Sequence, residues 1–371
     1  MSNKSFTYAE IDLNAIAHNI SEIRKIIPRL TKFMAVVKAN AYGHGAVAVS
    51  RAAVGAGADY LSVASVREAM ELREGGINAP ILILSESMIE DAGEIIRHDL
   101  TQTVYTFRLA EALSKEAVSQ GKSVKVHLKV DTGMGRVGAS PSEAEGLLKR
   151  IKDLPKIETE GIFTHFAKAE ALEDSYTEHQ LSLFKDLVRE IEYRGHFIPI
   201  KHASNSAATL YHPDAHLDMV RIGLAMYGIY PRPNGVRVDL TPALSFRTRV
   251  MYLKKVAAGT LLSYGSTHKT SAETVVATLP VGYADGYSTL LSNKAEVLIR
   301  GRRYPVVGRV CMDMTLVDVG GDAIELGDEA TLIGAQGANR ITADDIAALE
   351  GTISYEVICG IGKRVERVYK K

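Results

Sequence analysis

Up to about residue 230, short apolar runs alternate with stretches whose apolar residues recur every three or four positions. The runs predict strands at Phe33–Lys38, Tyr60–Val63, Ile81–Leu84, Gln102–Val104, Val124–Val130, Ile157–Phe163, Ile198–Ala203 and Met219–Gly223. Between them SVREAMELREGG, RLAEALSKEAVSQG, SEAEGLLKRIKDL and HQLSLFKDLVREIEYRG read as amphipathic helices, several closing on glycine. Eight strands alternating with helices over this length predict a parallel α/β barrel of the TIM type. An open doubly wound sheet is the alternative.

The pattern changes in PRPNGVRVDL, residues 231–240. Beyond it, ALSFRTRVMYLKKVAAG, ETVVATLPVGYADG, KAEVLIRGRRYPVVGRV, MTLVDVGG and EATLIGAQG read as short strands cut by turn residues. One helix, ADDIAALEG, interrupts them, with Thr342 as its expected N-cap. The expected organisation is a barrel over 1–238 and a mostly β domain over 239–371.

Lysine plus arginine and aspartate plus glutamate number 44 each, a balance that argues against a general nucleic-acid or membrane-surface binder. The two cysteines, Cys311 and Cys359, form no CxxC, which fits a reducing compartment and offers no metal-cluster spacing. The N-terminus carries no apolar signal-peptide core, and no apolar run is long enough to span a bilayer. A soluble, cytoplasmic protein is expected.

One strand end stands out. FMAVVKANAYGHG closes a core strand on Lys38 and follows it with a turn holding Tyr42, His44 and two glycines. A barrel presents its active site at the C-terminal strand ends. A strand-end lysine usually snorkels to water. One held in a walled site can lose its proton and bond a carbonyl, the chemistry pyridoxal phosphate uses.

VVKANAYGHG resembles the lysine signature of the alanine racemases, which are pyridoxal-phosphate enzymes. The resemblance continues through HLKVDTGMGRVG (127–138), GIFTHFA (161–167), ASNSAA (203–208), VRIGLAMYG (220–228), SYGST (263–267), LPVGYADGY (279–287), GRVCMDM (308–314) and ISYEVIC (353–359). It implies an eight-stranded α/β barrel followed by a β domain, and a head-to-tail homodimer whose active sites draw on both chains.

By this resemblance Lys38 holds the cofactor and then moves a proton at the substrate α-carbon. Tyr264 matches the second base, supplied by the other chain. His165 matches the residue that bonds this tyrosine's oxygen. Arg221 matches the residue facing the pyridine nitrogen. As arginine only donates, that nitrogen must stay unprotonated. Tyr42, Ser206, Ile222, Gly223 and Tyr355 match phosphate contacts, the middle two through the N–H groups of residues 222 and 223. Asn205 is a second-line contact, and Ser206 is also a candidate helix cap. Arg136 and the N–H of Met312 match the substrate carboxylate contacts, Met312 again from the other chain. Lys129 matches a lysine that is carbamylated in some members. Tyr283 and Asp313 match residues at a narrow entrance, where bulk and charge would favour a small amino acid.

The implied function is interconversion of L- and D-alanine, with D-alanine going to cell-wall peptidoglycan. The rivals are a broader amino-acid racemase, a related decarboxylase and a non-catalytic pyridoxal-phosphate carrier. A decarboxylase is expected to place an acid where this chain has Arg221. A carrier is expected to resemble the barrel alone.

Overall fold

The computed structural model describes residues 5–232 and 238–370, so part of the expected boundary segment, 233–237, lies outside the described residues. The chain divides into two compact units. One is Ala15–Ala41 with Ala46–Thr241; the other comprises Met1–Asn14, Tyr42–Gly45 and Pro242–Lys371, as far as these are described.

The first strand, β1 (Tyr8–Asp12), belongs to the second unit. The first unit carries β2 (Lys32–Val36), β3 (Tyr60–Val63), β4 (Ile81–Ile83), β5 (Thr101–Val104), β6 (Val124–Lys129), β7 (Ile157–Phe163), β8 (Ile200–His202) and β9 (Met219–Ile222). They form one 8-stranded sheet in the order β8-β7-β6-β5-β4-β3-β2-β9. Neighbouring strands in it pair parallel. An open doubly wound sheet would leave two separate edges. Here the two ends meet: Asp218 N donates to Lys201 O and Arg221 N to Ser204 O, each at 3.0 Å, so the ring is a nearly closed barrel.

Strands β2, β3 and β4 are mostly apolar because both faces are covered, whereas β5, β6, β7 and β8 carry polar residues as well. Met34, Tyr60, Leu82, Ile200 and Met219 pack together inside the ring, with Leu84 against them. The four helices read from the sequence are present and start at Val66, Phe107, Pro141 and Tyr176, the last of them three residues earlier than its apolar pattern suggests. Ser65 accepts from Glu68 N ahead of Val66–Glu74, and Thr106 accepts from Leu109 N ahead of Phe107–Ser119.

The second unit adds β10 (Leu244–Arg249), β11 (Tyr252–Val256), β12 (Leu261–Leu262), β13 (His268–Lys269), β14 (Thr274–Leu279), β15 (Glu296–Ile299), β16 (Arg302–Pro305), β17 (Thr315–Gly320), β18 (Glu329–Gln336), β19 (Asn339–Ile341) and β20 (Glu366–Lys370). The largest sheet runs β16-β15-β18-β10-β1-β20, with β19 on β18. Smaller sheets pair β11-β14-β17 and β12-β13. The N-terminal strand, grouped with the barrel in the sequence reading, pairs antiparallel with β10 and parallel with β20. Its alternating side chains suit either sheet, so the choice rests on pairing between residues far apart in sequence. The helix Ala343–Glu350 carries a full capping box between Thr342 and Asp345. A further helix, Ser354–Cys359, was not anticipated. Among the described residues no helix is long and apolar enough to cross a membrane.

Asn19 fastens the loop after β9. Its buried amide donates to Met226 O (3.0 Å) and Thr241 O (2.8 Å) and accepts from Thr241 N (2.7 Å). Asn19→Ala strands these buried backbone groups, so chemical denaturation should show a loss of about 2 kcal/mol.

Candidate functional site

The strand carrying Lys38 ends earlier than the sequence suggests, at Val36. Lys38 opens a left-handed turn: Ala39, Asn40, Ala41 and Tyr42 stand at φ 52°, 53°, 52° and 53°. For residues with a Cβ this is unfavourable by roughly 1–2 kcal/mol each, so the surroundings must hold it. Ala39 N donates to Glu68 Oε1 (2.7 Å), Ala41 N to Val37 O (2.8 Å) and Ala46 N to Asn40 Oδ1 (2.9 Å). Tyr42–Gly45 belongs to the second unit, where Arg367 Nε donates to Gly43 O at 3.0 Å. A Cβ on Gly43, at φ 82°, would lie 2.3 Å from Ile358 O. Strain of this kind is found where a side chain must be presented in one pose. The crowded small residues after Lys38 make this turn, which leaves the lysine half-buried where the strand ends.

Within the barrel unit, Lys38, Arg136 and Arg221 lie near enough to act on the charge of Lys129 and His165. Burial, then the charges of Arg221 and Arg136, pulls the Lys129 ammonium down to about 8. Its amine sits 5.3 Å from the Phe163 ring centre. Burial, then Arg221, Arg136, Lys129 and Lys38, pushes His165 well below the ordinary histidine value, so it is neutral. Arg221 is buried, which lowers its pKa. It is satisfied by neutral acceptors: His202 Nδ1 (2.9 Å), Thr164 O (2.9 Å), Ala203 O (2.8 Å) and His165 Nδ1 (3.3 Å). Because arginine only donates, Nδ1 of His165 accepts and its proton sits on Nε2.

Arg136 is exposed on a loop wound around one carboxylate. Asp131 Oδ1 accepts from Gly133 N (2.9 Å), Met134 N (2.8 Å) and Gly135 N (3.1 Å). Burial would raise the Asp131 pKa, but these amides outweigh it and hold the carboxyl below its usual value.

The cap of helix Ser206–Tyr211 is Asn205, whose Oδ1 accepts from Ala208 N at 2.9 Å, rather than Ser206. Ser206 is instead the first helical residue. Its Oγ accepts from Gly223 N (3.0 Å) and Ala225 N (3.3 Å), leaving its own proton to donate. Ser206 and the turn after β9, with Ile222 and Gly223, are therefore joined directly.

The remaining predicted residues lie in the second unit. Tyr42 and Tyr355 pack with ring centres 5.9 Å apart. Burial raises the Tyr42 phenol, keeping it protonated. Tyr264 is 73% exposed. Ser263 before it has φ 63° and ψ −177°, a region otherwise kept for glycine. Its Oγ donates to Arg309 O at 2.6 Å, and a Cβ on Gly308 would lie 2.5 Å from the Ser263 Cβ. Tyr283 N and Ala284 N donate to Cys311 O (3.0 Å) and Met312 O (3.1 Å), which joins the Tyr283 and Met312 loops. Asp313 bonds Arg364 Nη2 at 2.8 Å, and Arg364 also grips Asp285 through two bonds of 2.7 and 3.0 Å. The sequence reading missed this brace; Asp285 in GYADGY and Arg364 in GKRVER are far apart in the chain and carry no spacing signal.

The donor set suits pyridoxal phosphate. The barrel unit holds an amine that could bond an aldehyde, a fixed guanidinium that could face a ring acceptor, and the Ser206 hydroxyl, whose own proton is left to donate to a phosphate because its oxygen accepts from Gly223 N and Ala225 N.

Two family models match the chain: the alanine racemase N-terminal domain over residues 11–231 and its C-terminal domain over 243–369. A protein called alanine racemase 2 from Caldanaerobacter subterraneus subsp. tengcongensis is 46% identical over 98% of this chain and 94% of its own length. An alanine racemase from Symbiobacterium thermophilum is 48% identical over 98% of this chain and 97% of its own. The solved structure of an alanine racemase from Clostridium difficile superposes with a TM-score of 0.95 at 38% identity, over 100% of this chain and 97% of that one. With both domains matched in order, and a barrel that presents an amine beside a fixed guanidinium, the chain belongs to the alanine racemase family.

Proposed function

We propose that this chain is a pyridoxal 5′-phosphate-dependent alanine racemase, working by a two-base mechanism in a homodimer with shared sites. The observation that supports this most is the cationic cluster of Lys38, Lys129, Arg136 and Arg221 around a neutral His165. Such a cluster favours the anionic groups of a phosphorylated cofactor and an amino-acid carboxylate. Bound there, the cofactor supplies the electron sink that makes the substrate Cα–H acidic.

The protein's own groups then divide the work. Lys38 takes or returns the proton on one face of the α-carbon, and Tyr264 of the partner subunit acts on the other. His165 is set by Arg221 to offer its Nε2–H toward that phenol oxygen. A phenol otherwise titrates near pH 10 and needs such help to act as a base. Arg221 faces the ring nitrogen and keeps it unprotonated, which weakens the electron sink and restrains transamination. Ser206, whose proton is left to donate, holds the phosphate with Asn205 behind it. The amides of Ile222 and Gly223, the latter donating to Ser206 Oγ, and Tyr42 and Tyr355 are assigned there by resemblance to the family. Arg136 and the partner's Met312 N–H hold the substrate carboxylate. Tyr283 and Asp313 of the partner subunit narrow the entrance. The product is D-alanine for peptidoglycan, made in the cytoplasm.

With purified holoenzyme, L-alanine should give D-alanine until the two are equal, and serine, lysine and glutamate should react far more slowly. Lys38→Ala should abolish conversion while circular dichroism stays unchanged. Equal rates with the larger amino acids would favour a broader racemase, and no conversion by folded, cofactor-loaded protein would favour a carrier.

Lys129 is set for carbamylation. Addition of CO2 to the neutral amine forms an N–C bond and releases a proton, leaving a carbamate anion near Arg136 and Arg221. A lysine at about 8 is mostly protonated at pH 7 and loses its proton as pH rises past that value. Carbamate, read by 13C NMR with labelled bicarbonate, should therefore increase through this range. Lys129→Ala should raise the KM for alanine about tenfold, by loosening Arg136, and small carboxylates should partly restore it.

Mixed dimers test the shared site. A Lys38→Ala chain and a Tyr264→Phe chain should each be nearly inactive. Random mixing after mild dissociation should restore about a quarter of the activity, since about half the dimers are mixed and each holds one intact site. Hybrids that stay inactive, while wild type survives the same treatment, would place the two residues in one chain's site.

A further inference from the structure

A barrel of this type is normally filled by layers of branched apolar side chains. This one contains a polar column. Arg221 Nη1 lies 2.9 Å from His202 Nδ1, His202 Nε2 lies 2.9 Å from His127 Nδ1, and His127 Nε2 lies 3.1 Å from Glu160 Oε2. The other oxygen of Glu160 accepts from Lys125 Nζ at 2.7 Å. His127 and His202 are fully buried and Glu160 nearly so. The functional reading gives no role to Glu160, His127 or His202.

The direction of this chain is fixed. Arginine can only donate, so His202 Nδ1 accepts and its proton must be on Nε2. That proton points at His127 Nδ1, which therefore accepts and leaves the His127 proton on Nε2. This last proton points at Glu160. Every bond runs from the guanidinium toward the carboxylate, and each tautomer follows from the one before.

The surroundings are built for it. Pairing between β6 and β7 slips by a residue: Val126 faces Thr159 but His127 faces Gly161, so Glu160 is the extra residue. A bulge of this kind re-aims a side chain, here toward His127. At Gly161 a Cβ would lie 2.5 Å from His127 Nδ1, so only glycine leaves room for that ring. Phe163 stacks on His202 with ring centres 4.6 Å apart and planes 13° apart.

We infer that Glu160, His127 and His202 are positioning residues that pair the buried Arg221 charge with a distant carboxylate and hold its guanidinium in one orientation. Charge complementarity supports this. Burial alone would raise Glu160, yet hydrogen bonds from His127 and Lys125 bring it to about 2, so it is ionised. Burial keeps both imidazoles below their ordinary value and neutral. The charged or titratable groups facing His127 are Glu160, Lys125, Arg221, His202 and Tyr60; those facing His202 are Arg221 and His127. The column carries no proton through to the site, because arginine does not release one. It fixes a charge and a direction.

The consequence for catalysis rests on the proposed role of Arg221 at the ring nitrogen; the hydrogen-bond pattern does not. Histidine-labelled (15N) holoenzyme should therefore show His127 and His202 neutral with the proton on Nε2 between about pH 6 and pH 9. An imidazolium, or a proton on Nδ1 of either ring, overturns the inference whether or not the protein racemises alanine. Glu160→Gln should shift the Nε2–H signals of both rings and the Nη signals of Arg221, and lower kcat about tenfold with KM nearly unchanged. A Glu160→Gln protein that is merely less stable, with His202 and Arg221 signals and kcat as in wild type, overturns it too.

Discussion

A guanidinium buried in a protein interior must be satisfied or the fold loses several kcal/mol. Arg221 meets this without a carboxylate in direct contact, using two imidazole nitrogens and two main-chain carbonyls. Much of the barrel mouth follows from that arrangement. The acceptors fix the tautomers of His165 and His202. Added to burial, this nearby positive charge pulls the Lys129 ammonium down to about 8 and keeps His165 neutral. An acid beside Arg221 would remove this bias and weaken the attraction for phosphate and carboxylate together. Carrying the negative charge away to Glu160, behind two rings, gives Arg221 a counter-charge without placing an anion beside the cluster that the proposed function assigns to anionic ligands.

Backbone strain stands beside both residues assigned as bases, as it does at Asp99, Lys156, Leu217, Asn293 and Arg300. Four consecutive residues with a Cβ adopt left-handed φ after Lys38, and Ser263 occupies a glycine-like region before Tyr264. In each case a neighbouring glycine makes room: Gly43 against Ile358 O, and Gly308 against Ser263. Ordinary helix or strand geometry would be more stable locally. Its displacement at both points is consistent with the cost of holding a reactive side chain in one pose.

Strands such as β2, β3 and β4 were legible because both of their faces are buried, which writes them as mostly apolar runs. Lys38 was legible because it breaks such a run. The Thr342 cap was legible from its spacing to Asp345. Other features depend on contacts that sequence spacing does not encode. The side of the molecule that takes up β1 depends on β10 and β20, more than 200 residues away. The left-handed turn is invisible to propensity, since alanine favours the opposite hand. Asn205 and Ser206 are equally good caps by type, and only the position of Gly223 N decides between them. His127 and His202 were read inside apolar strands, where a lone polar residue gives no hint of a partner on another strand.

The entrance shows how a contact revises a reading based on residue type. Asp313 was expected to act through both charge and bulk. It shares Arg364 with the buried Asp285, so one guanidinium serves two carboxylates and a net negative charge remains on the rim. Asp285 in turn accepts from Gly282 N at 2.9 Å, tying the carboxylate pair to the turn that carries Tyr283. Gly282 cannot be replaced without collision, because a Cβ there would lie 2.2 Å from Cys311 O. The two loops thus form one braced piece, with Tyr283 and Met312 projecting from it. Under the proposed function this braced rim would select by bulk, held in place by Arg364 between the two carboxylates.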